Sequence, residues 1–382
     1  MAVPLSVPVL GGNEWKYVKE CLDTNWVSSA GPFVERFEEM IAGRLGVGHA
    51  VALVSGTAAL HLALLVAGVQ RDDEVLMPAL TFIAPANAVR YLGAWPVFID
   101  VEPDYWQLDP QSLADFVSRE CDWRDGGLWN RRTGRRVRAV LPVDILGHPC
   151  DLDAISELAH SRDLVVVEDA TEALGAFYKD RPVGQGADVA CLSFNGNKII
   201  TSGGGGMIVT NREDWAARAR YLSTQAKDDP VEYIHVNVGF NYRQTNIQAA
   251  LGVAQLEQLD ARVAAKRRIA AAYTEALGSV AGIRVMTEAP WATSTFWLYT
   301  ATVDSGRYGS GSRALLKRLA RDGIQSRPLW QPLNQSPAMA GCQSMGAPVA
   351  ERVAAAALSL PSSADLSPSD QARVIAAVSA AS

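Results

Sequence analysis

The chain has 382 residues, of which 48% are hydrophobic and 20% are charged, and its formal net charge is −6 at pH 7. This composition is typical of a globular protein long enough for a large and a smaller domain, and the acidic balance excludes a general attraction to nucleic acid or anionic membranes. No uninterrupted apolar stretch reaches the length that spans a bilayer, and the N-terminus has no signal-peptide pattern, so we expect a cytoplasmic protein.

Strands and helices are predicted to alternate along the first part of the chain, after two helices at 14–23 and 32–45. Buried strands separated by helices indicate an α/β fold with a mainly parallel sheet covered on both faces. The predicted strands are 49–54, 74–77, 95–99, 138–143, 164–168, 189–194 and 206–210, and the helices between them are 57–67, 83–92 and 151–161.

The first predicted strand runs directly into a helix. The segment 51–60 reads Val-Ala-Leu-Val-Ser-Gly-Thr-Ala-Ala-Leu, so Gly56, Thr57 and Ala58 occupy the helix start. A helix N-terminus offers unpaired N–H groups and a partial positive charge, which makes it a natural site for a phosphate. Ser193, near the end of a later strand, could add a hydroxyl donor. Taken alone, the same segment could also serve only to cap the helix.

A carboxylate and a lysine follow two later strands. Asp169 comes after the apolar run 164–168, and Lys198 lies on a turn before the glycines at 203–206. A carboxylate can keep a pyridine nitrogen protonated. The neutral amine of a lysine can bond covalently to an aldehyde, and cationic neighbours would favour that neutral form. The same lysine can later move a proton at the reacting carbon. The two residues predict a site for pyridoxal phosphate (PLP), with Asp169 as the nitrogen partner and Lys198 as anchor and proton carrier.

Each of these features also has a purely structural interpretation. A carboxylate at a strand end often caps the next helix, and a lysine beside glycines is usually a solvated loop residue. The glycine run does not predict a dinucleotide-binding loop, because it precedes a strand rather than a helix. The five cysteines are odd in number without a Cys-x-x-Cys pair, and the histidines lack metal-ligand spacing, so we expect neither disulfides nor a metal site.

The motifs around these residues resemble those of one enzyme group, the DegT/DnrJ/EryC1/StrS nucleotide-sugar aminotransferases. The resemblance implies the aspartate-aminotransferase fold (PLP fold type I), with a large domain built on a mainly parallel sheet and a smaller C-terminal α+β domain. We expect the large domain at 1–245. The second unit, at 246–382, comprises a linking helix, predicted at 245–277, and the small domain. The matching segments, in family order, are 31–38, 55–60, 73–78, 168–172, 193–198 and 239–243.

Within the group, the chain most resembles the LegC-type and GDP-perosamine-synthase-type enzymes, which aminate C4 of a nucleotide-linked 4-keto-6-deoxy sugar. The resemblance lies in the segments 12–18, 26–31 and 195–201. The segment 122–138 looks like an insertion of the LegC-type branch. A basic segment with Gly and Asn is, however, also typical of a solvated hairpin.

The resemblance also assigns cofactor roles. Lys198 matches the lysine that carries PLP, where related sugar dehydratases have histidine, and Asp169 matches the partner of the pyridine nitrogen. Phe82 matches the aromatic residue stacked on the cofactor ring, and Glu172 lies where relatives carry Gln, His or Glu near the phenolic oxygen. Asn241 matches a residue that reaches the phosphate from the neighbouring subunit, so we expect a homodimer with shared active sites.

Other residues are candidates for contacts with the nucleotide sugar, some from a loop near the sugar in relatives and some from the C-terminal domain that closes over it. Arginines are included because a planar guanidinium matches diphosphate oxygens. Ordinary packing explains the two tryptophans equally well, and relatives tend to carry a histidine near Asn334 that is absent here. The candidates are Trp26, Ser28, Ser29, His235, Arg243, Arg327, Trp330 and Asn334, with the arginines at 131–138.

The resemblance implies transfer of an amino group from L-glutamate, through PLP and its pyridoxamine phosphate form, to the C4 ketone of a UDP- or GDP-linked 4-keto-6-deoxy sugar for a surface glycan. Two alternatives stay open. The enzyme could aminate C3 of a ketosugar for an antibiotic, or the chain could be a non-catalytic regulatory protein with the same fold. The presence of both Lys198 and Asp169 argues against the regulatory alternative.

Overall fold

The computed structural model describes residues 2–229 and 231–380. A nine-stranded sheet lies at its centre, and a four-stranded sheet forms the core of the C-terminal lobe. The strands are β1 (His49–Leu53), β2 (Glu74–Pro78), β3 (Trp95–Ile99), β4 (Cys121–Arg124), β5 (Gly127–Asn130), β6 (Arg136–Val140), β7 (Val165–Asp169), β8 (Phe177–Tyr178), β9 (Arg181–Pro182), β10 (Val189–Ser193), β11 (Gly206–Thr210), β12 (Ile283–Arg284), β13 (Ala292–Thr293), β14 (Tyr299–Val303), β15 (Arg327–Pro328) and β16 (Ala357–Leu360).

The helices cover both faces of the central sheet and surround the smaller one. They are α1 (Glu14–Asp23), α2 (Pro32–Leu45), α3 (Gly56–Val66), α4 (Ala84–Tyr91), α5 (Pro110–Glu120), α6 (Leu152–His160), α7 (Glu213–Ser223), α8 (Asn246–Leu256), α9 (Leu259–Leu277), α10 (Ser305–Tyr308), α11 (Ser312–Arg321), α12 (Pro348–Ala356) and α13 (Pro368–Ser379). Among the helices before residue 245, α5 and α7 were not predicted from the sequence.

The central sheet has the strand order β1-β11-β10-β7-β6-β2-β3, with β5 paired to β6 and β4 paired to β5. Strands β10, β7, β6, β2 and β3 run parallel, whereas β11 is antiparallel to β1 and β10. The predicted α/β fold with a mainly parallel sheet is therefore confirmed. Since the carboxyl ends of parallel strands share one edge, Asp169 at the end of β7 and Ser193 at the end of β10 lie on that edge.

The C-terminal lobe contains the antiparallel sheet β12-β14-β16-β15 with helices around it, which is the predicted α+β arrangement. We retain the division near residue 245 as a proposal. Val3 nevertheless lies against this lobe, because its N–H donates to the Gly323 carbonyl at 2.8 Å. In the described ranges, no helix is long and apolar enough to cross a bilayer, and no cluster of acidic, histidine or cysteine side chains could hold a metal ion.

The linking helix predicted at 245–277 is interrupted. It forms two helices, α8 and α9, and the break falls between residues 256 and 259. At the break, Glu257 accepts hydrogen bonds from Asn13 Nδ2 at 2.7 Å and from the Tyr17 hydroxyl at 2.8 Å. Apolar spacing continues through this point, so periodicity alone could not reveal contacts with α1.

The basic segment 122–138 folds mainly as the hairpin β4–β5 and a turn into β6. This arrangement matches the hairpin interpretation, while the branch assignment stays a prediction. The turn and the start of β6 lie at the amino ends of the parallel strands, on the edge opposite Asp169. The arginines at 131–138 are therefore remote from the ligand edge of the same chain, which corrects their assignment as substrate contacts there.

Candidate active site

A cavity of about 390 Å³ opens at the carboxyl ends of β7 and β10. The start of α3, the turn before residue 200 and side chains of the C-terminal lobe enclose it. This location agrees with the rule that ligands of open α/β sheets bind beyond the strand carboxyl ends. The predicted site residues that line it are Gly56, Thr57, Phe82, Asp169, Glu172, Ser193, Lys198 and Trp330.

Lys198 lies between an acidic and an aromatic side chain. Its Nζ is 3.5 Å from Glu172 Oε1 and 4.3 Å from the centre of the Trp297 ring. The other oxygen of Glu172 accepts a hydrogen bond from the Leu146 N–H at 2.8 Å, and burial raises the pKa of this carboxyl group. We expected cationic neighbours around Lys198; the structure instead gives it a carboxyl group and a ring face.

Asp169 ends β7 with its side chain only 2% exposed in the cavity wall. Its Oδ1 accepts a hydrogen bond from the Thr171 N–H at 3.1 Å. Burial raises the pKa of Asp169. The hydrogen bonds from Thr171 and the charge of the nearby Lys198 oppose this rise. A buried carboxylate is costly unless a cation or a donor pairs with it. The N–H of a protonated pyridine ring is such a partner, so this position fits PLP.

The start of α3 forms the opposite end of the cavity. Gly56 and Thr57 line it, and Ser193 lies beside them. The Ala58 N–H, which we predicted as a phosphate donor, instead donates to Ser55 Oγ at 3.1 Å and Ala58 does not line the cavity. The donors suited to a phosphate are therefore the first N–H groups of the helix and the hydroxyls of Thr57 and Ser193.

Gly56 has no room for a side chain, so we expect Gly56→Ala to weaken PLP binding. A Cβ at this position would lie 2.9 Å from Ser193 Cβ and 3.3 Å from Thr171 Cγ2. Relief of this overlap would displace Ser193 or the helix start, and the Kd of PLP should rise about tenfold. Fluorescence titration of the apoenzyme measures this change. Gly196→Ala is the control, because its Cβ would meet nothing within 4 Å; equal affinities in both variants would contradict the prediction.

Two aromatic side chains form the open side of the cavity. Phe82 is 52% exposed, and its ring centre lies 6.5 Å from that of Trp330. A flat apolar face that is accessible in this way can stack on a pyridine ring, as predicted for Phe82. The position of Trp330 in the lining is consistent with its predicted place near a substrate.

The other predicted residues lie outside the cavity. Ala58 is buried in α3, and the side chains of the others face the surface of the chain or form bonds elsewhere. These residues are Ala58, Asn241, Trp26, Ser28, Ser29, His235, Arg243, Arg327 and Asn334.

The loop that contains Trp26, Ser28 and Ser29 is held at the surface by the start of α8. Asn246 Nδ2 donates to the Trp26 carbonyl at 2.8 Å, and its backbone N–H donates to the Ser28 carbonyl at 2.6 Å. All three side chains are exposed. The predicted contacts with the sugar are therefore not formed within one chain.

Three further candidates have partners away from the cavity. His235 is exposed, with Nδ1 2.8 Å from the Gln225 carbonyl. Asn334 Nδ2 donates to Glu351 Oε1 at 2.9 Å. The exposed Arg327 guanidinium donates to the preceding backbone carbonyl at 3.1 Å. Within one chain these side chains do not line the cavity, and their contact with the substrate stays a prediction.

Arg243 is a structural residue in this chain. Its Nη1 donates to Glu38 Oε1 at 2.8 Å and to the Ala52 carbonyl at 3.0 Å, and the side chain is 10% exposed. Glu38 also pairs with Arg220 at 2.7 Å. This buried network occupies the guanidinium within one chain, and a contact of Arg243 with the substrate diphosphate stays a prediction.

Trp297 lines the cavity, but the sequence did not single it out. It lies two residues before β14, which begins at residue 299. The neighbouring Thr171 and Asn197 also line the cavity unpredicted. A tryptophan before an apolar strand is an ordinary core pattern, so no local signal separated Trp297 from packing residues.

Comparison with known proteins gives the same answer as the geometry. The model of the DegT/DnrJ/EryC1/StrS aminotransferase family matches residues 8–379. GDP-perosamine synthase of Caulobacter vibrioides is 41% identical over 378 residues, which cover 98% of this chain and 97% of the relative. GDP-perosamine synthase of Escherichia coli O157:H7 is 38% identical over 365 residues, which cover 96% and 94%, respectively.

Among solved structures, the aminotransferase TlmJ from Streptoalloteichus hindustanus matches with a TM-score of 0.89 and 30% identity, over 99% of this chain and 98% of that chain. This likeness confirms the aspartate-aminotransferase fold. The residue types that converge on the cavity fit PLP. The chain therefore belongs to the DegT/DnrJ/EryC1/StrS aminotransferase family, whose members are PLP-dependent sugar aminotransferases.

Proposed function

We propose that this enzyme transfers an amino group from L-glutamate to the C4 ketone of a GDP-linked 4-keto-6-deoxy sugar. The observation that carries the proposal is the convergence of Lys198, Asp169 and Glu172 on one cavity that also contains the start of α3. The names of the two relatives, both GDP-perosamine synthases, support a GDP-linked sugar. Amination at C4 follows from the sequence resemblance to that group.

When bound, PLP supplies an electron sink and a carrier for the amino group. Asp169 would hold the pyridine nitrogen in its protonated form, and the first N–H groups of α3 would bind the phosphate. Lys198 would anchor the cofactor aldehyde and then move the proton at the reacting carbon in both half-reactions. Phe82 and Trp330 would exclude water from the open side of the cavity.

The proposed role of Glu172 beside the phenolic oxygen requires its carboxyl group to donate a proton or to act through water. Burial raises the pKa of Glu172, which favours the protonated form. The Leu146 N–H holds one carboxyl oxygen in place at 2.8 Å. The other oxygen remains directed to Lys198, so Glu172 would also orient the amine.

We further propose a cytoplasmic homodimer with shared active sites. The segment before Asn241 exposes apolar side chains, among them Val231 at 78% and Val238 at 86%. Exposed apolar surface of this kind is typical of an interaction face. A second copy seated here would cover the segment and could bring Asn241 to the phosphate end of the neighbouring cavity. The five free cysteines fit the reducing environment of the cytoplasm.

Mixed dimers test the shared site. We expect Asn241→Asp and Lys198→Ala each to abolish activity, because the first places a carboxylate beside the phosphate and the second removes the anchor. In an equal mixture refolded together, half of the dimers would be mixed, and each mixed dimer would contain one intact site. About a quarter of the wild-type activity should therefore return. No recovery, with mixed dimers verified by two affinity tags, would contradict a shared site.

The function is tested by incubating the PLP-loaded enzyme and L-glutamate with GDP-linked, UDP-linked or TDP-linked 4-keto-6-deoxy sugars. The proposal expects 2-oxoglutarate and a GDP-linked 4-amino sugar in equal amounts, with the aminated carbon identified by NMR. A faster reaction with a UDP-linked or TDP-linked sugar would overturn the nucleotide assignment. An amino group at C3 would instead establish the first alternative, and absence of any glutamate-dependent change in PLP absorption would favour the regulatory one.

A further inference from the structure

Trp297 contacts the catalytic lysine and the residue that precedes it. The Lys198 Nζ lies 4.3 Å from the centre of the indole ring. The indole Nε1–H donates to the Asn197 carbonyl at 2.6 Å. One side chain of the C-terminal lobe therefore binds both the amine of Lys198 and the backbone that carries it, across one hundred residues of sequence.

The backbone of Trp297 is itself held in place. Lys266 on α9 is 4% exposed, and its Nζ donates to the Trp297 carbonyl at 2.8 Å and to the Ser362 carbonyl at 2.7 Å. Burial lowers the pKa of Lys266 to about 7. Both hydrogen bonds survive loss of its proton, because a neutral amine keeps two N–H donors.

The residue before Trp297 has a strained conformation. Phe296 has a φ of 49°, in the left-handed region that bulky residues rarely adopt. Its N–H donates to Ser294 Oγ at 3.0 Å, and Lys266 holds the next carbonyl. Strain of this kind persists only where the surroundings determine the backbone, and it is concentrated at functional sites.

From these contacts we infer that Trp297 is the positioning residue that holds Lys198 for reaction, and that Lys266 keeps Trp297 in that position. The inference deepens the proposed function and rests on the role of Lys198 in it. The ring face attracts the ammonium form of Lys198, while the Nε1–H bond limits movement of the turn that carries it. Without Trp297, the amine would be free to leave the orientation in which it meets the cofactor aldehyde or the reacting carbon.

Capture of PLP by the apoenzyme tests this inference without any sugar or amino donor. The rate is followed by the visible absorption of bound PLP across a pH series. The plateau that this rate reaches at high pH reports orientation rather than charge, because a further rise in pH no longer changes it. Trp297→Leu should lower the plateau about tenfold, since small misplacement of a reacting group is costly. Trp297→Phe keeps a ring face but loses the bond to Asn197, and should lower it about threefold.

Trp215→Phe is the matched control. Trp215 is also buried, at 8% exposure, and the Arg212 guanidinium lies 4.1 Å above its ring. Trp215 is not part of the cavity lining. The high-pH plateau of the PLP capture rate in Trp215→Phe should stay within about twofold of the wild type, because only structural packing is lost. A Trp297→Leu plateau equally close to the wild type would overturn the inference. If circular dichroism shows that Trp297→Leu does not fold, the Trp297→Phe plateau is used instead. A Trp297→Phe plateau as close to the wild type as that of the control would then overturn the inference.

Lys266→Met tests the second half of the inference. If Lys266 acts through Trp297, the plateau should fall in the single variant, and addition of Lys266→Met to Trp297→Leu should lower it no further. Full additivity of the two losses would overturn the role of Lys266. A wild-type enzyme that captures PLP but aminates no sugar would refute the proposed function and leave this test interpretable.

Discussion

Replacement of Lys198 by alanine is expected to abolish transamination, with a loss of about a thousandfold or more in the rate of the half-reaction with L-glutamate. The variant loses the covalent anchor and the group that moves the proton, and no other lysine lines the cavity among the residues that the structure describes. Stopped-flow absorption of bound PLP after addition of L-glutamate measures the rate. The fold should persist, because Lys198 is a turn residue whose side-chain amine lies beside Glu172 and the Trp297 ring at the cavity.

Two variants complete this experiment. Lys198→Arg keeps a positive charge beside Glu172 but has no amine that bonds to an aldehyde, so it should be as inactive as the alanine variant. Lys179→Ala removes an exposed lysine that pairs with Asp153, and its rate should equal that of the wild type. A Lys198→Ala enzyme that retains more than about a tenth of the wild-type rate would contradict the assignment, since loss of general acid–base catalysis alone should cost more.

Asp169→Asn is expected to have the second largest effect, a loss of about a thousandfold in the rate of both half-reactions. Asparagine is nearly isosteric and can still accept the hydrogen bond from the Thr171 N–H, so the fold should be retained. It has no charge to keep the pyridine nitrogen protonated. Because the site is buried, water cannot take over this role, and electrons from the breaking bond would have no cationic ring to enter.

A chemical rescue separates loss of charge from loss of structure. PLP methylated at its pyridine nitrogen carries a permanent positive charge, so it should restore part of the activity of Asp169→Asn but none of that of Lys198→Ala. The control is Asp153→Asn, which replaces an exposed carboxylate that pairs with Lys179. It should leave the rates unchanged. Undiminished activity of Asp169→Asn with ordinary PLP would refute the role of Asp169.

Strand and helix positions were predicted well where local pattern controls them. The helices Glu14–Asp23 and Pro32–Leu45 begin and end at the predicted residues, and the seven predicted strands agree with strands of the central sheet within a few residues. The linking helix was predicted without its break, because the polar contacts of Glu257 with Asn13 and Tyr17 come from a distant helix. The spacing of apolar residues indicates the buried face of an element and does not indicate such polar contacts.

The same distinction applies to the candidate site. Asp169, Lys198 and Gly56 were found because a strand end, a glycine-rich turn and a helix start are local signals, which the family resemblance then connected. Arg243 was assigned to the substrate from its residue type, but the fold gives its guanidinium to Glu38. A guanidinium pairs with a protein carboxylate as readily as with a diphosphate, so residue type cannot choose between them.

The sequence by itself determined the α/β fold and the cofactor, and it indicated the two residues that we propose to carry the chemistry, because each depends on short segments whose residue types restrict what they can do. Only the tertiary structure decided which side chains surround Lys198. It brought Glu172 and Trp297 to the amine and left Trp26, His235 and Asn241 on the surface. The physical reason is that these contacts join residues far apart in the chain, and their geometry depends on how the two sheets and the helices between them pack.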